Sequence, residues 1–214
     1  MKTRILRGLS AVMTACAMIG PLHGSTGVEA DILEEVNFLR ANPDSYAGDL
    51  EEYERRFDGR IAFGEGNEPD FTTHEGPRPV IEAVRELRRA RPMGEVRHSD
   101  VLAKAATDHV RFQGASGQVG HISNGKRPGD RVKAHGGNIY VGEVIVYGVY
   151  SSRNAVRQLV VDDGVSGRGH RRLLLTASYR YAGVACGSHR NWRNMCVIVL
   201  SETRDGSPVM ATRN

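Results

Sequence analysis

The order of the sequence patterns predicts an α+β layered domain. Helical periodicities come first and recur late, β-branched runs gather toward the end, and no internal repeat interrupts them. Apolar content of 40% and charged content of 25% match a globular chain and exclude a collagenous or disordered one. At 214 residues there is room for one domain of ordinary size plus additions. No apolar run reaches the roughly 20 residues needed to cross a bilayer.

The chain opens with Lys2, Arg4 and Arg7 ahead of an apolar stretch over residues 9–22, the layout of an export signal. The expectation is a signal peptide over residues 1–24, with small-residue cleavage positions after Gly24 or Ala30. Cys16, in the run VMTAC, offers the alternative of a lipid anchor, although Met13 replaces the usual branched aliphatic residue. The 29 basic and 25 acidic residues become 26 and 25 once residues 1–24 are set aside. The remaining chain has no large field to attract nucleic acid, and none is expected as a partner.

Asp31 caps a predicted helix carrying Ile32, Leu33, Val36 and Leu39 on one face, and Asn42-Pro43 ends it. Residues 49–95 read as an irregular insertion, with a short helix near 50–57 and an amphipathic helix over 80–91. The arginines at 85, 88, 89 and 91 form one solvated face of the latter. Ser99 is the N-cap of a third helix that sets Leu102, Ala105, Ala106 and His109 at helical spacing, closed by Gly114 and Gly117. A Gly- and Asn-rich loop follows over 116–129, then a strand within 138–150. Ser151-Ser152 open a helix carrying Ala155, Val156, Leu159 and Val160, Asp162-Asp163-Gly164 turn the chain, and a short helix starts near His170. Residues 203–214 read as a loose tail.

Apart from Cys16 the chain has two cysteines, Cys186 and Cys196, each in a β-type run. They are equidistant from Asn191, so a hairpin folded there sets them opposite one another, close enough for a disulfide in an oxidising compartment. Two inert thiols are the cytosolic alternative. Trp192, the only tryptophan, falls at the hairpin tip.

Four segments pair glycine with a group capable of chemistry: Gly120-His121, Gly142-Glu143, Asp162-Asp163-Gly164 and Gly169-His170. Two imidazoles with nearby carboxylates suit zinc or another divalent metal with an open position for water. The same groups also suit acid–base work, or a hydrogen-bonded network that only fixes the core. His109 reads as a core histidine; His74, His98, His135 and His189 occupy polar contexts that require no special role.

The motifs ILEEVNFLRANP, LAKAATDHV, GHIS, GEVI, AVRQLVVDDGVSGRGHRRLLL, YAGVACGSH and MCVIVLS, in that order, resemble the CAP superfamily of secretory proteins, in its bacterial exported SCP-like branch. The resemblance spans about residues 31–202. It implies a three-layer α-β-α sandwich with a central antiparallel sheet and a cavity lined by His121, Glu143, Asp163 and His170, with Asp162 as the neighbouring alternative to Asp163. His121 and His170 are the implied metal ligands. Two positions depart from the wider family: Val144 replaces the amide of its GEN motif, and Arg171-Arg172 follow His170 where animal and plant members carry Thr-Gln.

The function this implies is an exported binding module for an extracellular or envelope ligand, with lipid among the candidates. The rival is a metal-dependent hydrolase of peptide or cell-wall material in which Glu143 activates water.

Overall fold

The computed structural model describes residues 27–210, so the signal-peptide reading and Cys16 lie outside the described residues. Helix α1 (Val28–Ala41) buries Ile32, Val36, Leu39 and Arg40, and Pro43 then occupies the first turn of α2 (Pro43–Glu54), where a missing N–H costs nothing. The next segment is more ordered than its composition suggests. Strands β1 (Phe57–Asp58), β2 (Ile61–Ala62) and β3 (Phe71–Thr72) form a small antiparallel sheet, followed by α3 (Arg78–Leu87). Two-residue strands are too short to print an alternating pattern, which is why the segment reads as irregular.

The second sheet is formed by β4 (Arg97–His98), β5 (Gly142–Tyr147), β6 (Tyr181–His189) and β7 (Arg193–Ser201), in the order β4-β6-β7-β5. It is antiparallel except at its edge, where the two residues of β4 run parallel to β6. Between these strands come α4 (Asp100–Ser116), α5 (Pro128–Ala134), α6 (Ser152–Val161) and α7 (Gly169–Leu174). Helix α5 lies where the sequence reads as loop. Its Pro128 occupies the first turn and Asp130 accepts from the Arg127 amide at 2.9 Å.

The period of two along the strands divides the interior. Val144, Val146, Ile198 and Leu200 face a core built with α1, α2, α3, α6 and α7. Ile145, Met195, Val197 and Val199 face α4 and α5 on the other side. The result is an α-β-α sandwich. Helix α4 lies against the sheet at Gly183, where a Cβ would stand 2.0 Å from the Ala103 nitrogen, so only glycine permits the approach. Ser99 accepts from the Leu102 amide at 3.3 Å, and Gly117, with φ +74°, ends the helix as its spacing predicts.

Cys186 and Cys196 face one another across the β6–β7 hairpin, Cα to Cα 4.2 Å, and are joined by a disulfide. The first residues of the expected tail are tied back to the domain. Ser99 donates to the Arg204 carbonyl at 2.6 Å, and the amides of Asn138 and Tyr140 donate to the carbonyls of Asp205 and Gly206.

Arg40 is fully buried with no carboxylate in ion-pair range among the described residues. It donates instead to the backbone carbonyls of Gly94, Leu174, Thr176 and Tyr179, at 2.7–3.0 Å. Burial pushes its pKa down, yet those carbonyls keep the guanidinium solvated by the protein and close the end of α7. Arg40→Met should therefore cost about 3 kcal/mol or more, because it orphans several buried acceptors at once. Urea unfolding measures the loss; an unchanged midpoint would show that water or rearrangement satisfies those carbonyls.

Candidate functional site

Two imidazoles come together from distant parts of the chain. The rings of His121 and His170 lie 6.4 Å apart, centroid to centroid, with 43° between their planes. Each is bound to its own carboxylate. His121 Nδ1 is 2.9 Å from Glu143 Oε1, and His170 Nδ1 is 2.6 Å from Asp162 Oδ1. An ionised carboxylate only accepts, so each Nδ1 carries a proton, and in the neutral ring each Nε2 keeps its lone pair. No protein group among the described residues bonds to either Nε2.

The first dyad is fixed from behind. Glu143 enters from the start of β5 with a side chain 1% exposed, and its second oxygen, Oε2, accepts from Nη2 of the equally buried Arg131 on α5. Arg131 Nη1 donates to the carbonyls of His121 and Lys126, each at 3.1 Å, and to Ser123 Oγ at 3.2 Å. One guanidinium thus holds both the carboxylate and the loop that carries its histidine. Gly120 adopts φ +99°, a conformation closed to most side chains, and its carbonyl accepts from His109 Nε2 at 2.8 Å and Gln113 Nε2 at 2.6 Å. Its amide lies 3.1 Å from the Tyr147 hydroxyl. Burial lowers the pKa of His109, which serves as a neutral core donor, in line with the sequence reading.

The second dyad rests on a tight turn. Asp162 closes α6 in the left-handed region, φ +58°, and this turns its carboxylate toward the start of α7. There Oδ2 accepts from the His170 amide at 2.9 Å while Oδ1 takes the ring. Of the two adjacent aspartates, Asp162 is therefore the one beside His170. Asp163 points away and accepts from the amides of His74 and Glu75, at 2.7 and 2.9 Å, tying the β3–α3 connection to this turn. Val144 is fully buried in the sheet interior, facing away from Glu143, so the departure from GEN does not disturb the dyad.

Among the described residues the other histidines are engaged elsewhere: His98 with Asp100, His135 with Asp108, and His189 with the Gln118 carbonyl. His74 packs its ring beside Gly164. Arg131 and Gln113 are the contributors that the sequence motifs do not reveal. Pro128 and Asp130, just ahead of Arg131, are its local signal.

Residues 81–200, more than half of the chain, match the family model described as the cysteine-rich secretory protein family, CAP. The chain belongs to this family. All four dyad residues and both cysteines fall inside the matched stretch. No relative is found among curated proteins. Among solved structures, an outer surface protein from Borrelia burgdorferi is similar, with a TM-score of 0.44 and 17% identity, over 56% of this chain and 88% of that one. An extracellular SCP-domain protein from Bacillus anthracis gives 0.41 and 17%, over 57% of this chain and 37% of its own length. The CAP domain of enterococcal PrgA gives 0.39 and 18%, over 57% and 56%.

The turn bearing Asp162 and His170 depends on an outer ion pair. Arg168, itself at φ +51°, reaches Glu75 through two bonds of 2.7 and 2.9 Å. Arg168, and then the Gly164 amide, hold the Glu75 carboxyl at about 2, below its ordinary 4.5. A depressed carboxyl stabilises the fold fully above its unfolded value and loses that contribution as pH falls from about 4.5 through about 2. Glu75→Gln should lower stability near neutrality by at most about 1 kcal/mol, since the pair is partly exposed. It should also flatten the acid limb of a thermal-midpoint-versus-pH curve. Parallel curves for variant and wild type would refute the pair's role.

Proposed function

We propose that the chain is an exported binding module whose histidines His121 and His170 hold a divalent metal, zinc or a similar ion, for an extracellular or envelope ligand. The observation that carries this is the matched pair of dyads: both imidazoles give Nδ1–H to an internal carboxylate and keep Nε2 free. That is how metal-binding histidines are ordinarily oriented, with the carboxylates raising ligand basicity from behind. The family membership, the disulfide and the basic-then-apolar start of the chain support export.

The donor set fits such an ion with few protein ligands. Among the described residues no three His, Cys, Asp or Glu side chains converge as ligands, so solvent or a bound molecule completes the coordination. Two imidazoles on one tetrahedral ion, with bonds of about 2.0–2.1 Å, bring their centroids to roughly 5 Å. The rings stand 6.4 Å apart, somewhat wider than that. When bound, the metal supplies Lewis acidity and an exchangeable position.

The geometry favours binding over the hydrolytic rival. Glu143 has one oxygen on His121 and the other on Arg131, and its side chain is 1% exposed, so both oxygens are engaged and the group is shielded from bulk water. Its role is to orient His121.

Calorimetric titration of the purified protein with zinc should give saturable binding near one ion per chain. The double variant His121→Ala/His170→Ala should lose it while remaining folded by circular dichroism. Absence of binding by folded wild type would remove the metal and leave the dyads as a structural network.

A further inference from the structure

The tip of the disulfide-braced hairpin presents the only tryptophan of the chain to solvent. Trp192 is 54% exposed, with Tyr150 at 40% and Val119 at 60% nearby. Three segments meet here. Trp192 packs at 6.5 Å and a 43° tilt against Tyr147, whose hydroxyl reaches the residue after Val119, and the Arg193 guanidinium covers the Tyr150 ring at 4.6 Å.

This exposure belongs to a rigid feature. The Arg190 amide donates to the Gly114 carbonyl at 3.1 Å, and Asn191 Nδ2 to the Gly117 carbonyl at 2.9 Å. His189, 3% exposed, bonds to the Gln118 carbonyl. The tip is clamped onto the end of α4, so the tryptophan is displayed at little cost in chain entropy.

Residues 111–124, 147–154 and 186–195 contain no Asp or Glu. Arg153 is paired with Asp49, and Glu29 touches the hairpin only at its base, at the Cys186 amide. Arg190 and Arg193 have no carboxylate partner among the described residues. An exposed indole with two exposed arginines beside it in sequence, neither paired with a carboxylate among the described residues, matches the border of an anionic bilayer: the ring settles among the headgroups and the arginines meet their phosphates.

We infer that the Trp192 tip docks this protein onto an anionic lipid surface. The docking does not use the two histidines, and a measurement in EDTA separates it from the metal reading. Because Trp192 is the sole tryptophan, its emission reports the tip directly. With phosphatidylcholine vesicles containing phosphatidylglycerol, emission should shift to the blue and the protein should co-sediment, less so as salt is raised. Pure phosphatidylcholine should do neither. Arg190→Gln and Arg193→Gln should each weaken the partitioning by about fivefold, the weight of one basic group near such a surface. Arg193 occupies the left-handed region, φ +67°, so Arg190→Gln and Trp192→Ala carry the test if that variant misfolds. No association with anionic vesicles, equal association with neutral ones, or undiminished co-sedimentation of Trp192→Ala and Arg190→Gln would overturn the inference.

Discussion

The buried ion pair between Arg131 and Glu143 is the contact on which the first half of the site depends. Both side chains are almost wholly withdrawn from water, where an unpaired charge would be severely destabilising. Each group is therefore engaged at several atoms, Arg131 on two loop carbonyls and a serine, Glu143 on a histidine. The desolvation that makes such a pair expensive also makes it specific, because only one arrangement of the loop over residues 120–126 satisfies all of these atoms. His121 inherits its position and its tautomer from that arrangement.

The second half reaches the same end by different means. Among the described residues no arginine or lysine forms an ion pair with Asp162, although the buried Arg171 lies within electrostatic reach; backbone geometry aims its carboxylate, through the left-handed end of α6 and the start of α7. Asp163 and Glu75 then anchor that turn to the segment between the small sheet and α3. The added segment thus braces the site from outside. Helix α4 serves both halves of the molecule, filling the second core and clamping Gly120 through His109 and Gln113. At its far end it seats the hairpin tip.

Much of this was legible in the sequence, and the misses have a common origin. Ser99, Gly117, Ser151 and the opposed cysteines are local signals, and each behaves as its chemistry dictates. His121, Glu143 and His170 were visible because glycine precedes each of them. The choice between Asp162 and Asp163 was not, since it depends on one backbone dihedral that spacing does not encode. Arg131 was hidden because its helix has only seven residues inside a polar stretch and its partner lies on a strand. The small sheet was hidden because two residues carry no period. Short elements and long-range polar pairs escape periodicity; long amphipathic helices do not, although α1 starts at Val28 after Gly27, so the cap expected at Asp31 falls inside its first turn.

The central claim is that internal carboxylates hold both imidazoles as Nδ1–H tautomers with Nε2 open. Long-range proton–nitrogen NMR correlation of the metal-free protein at neutral pH reads the tautomers directly. The account predicts a protonated Nδ1 and an unprotonated Nε2 for both His121 and His170. An Nε2–H tautomer at either residue would contradict it, since that ring could neither donate to its carboxylate nor offer the open nitrogen to a metal.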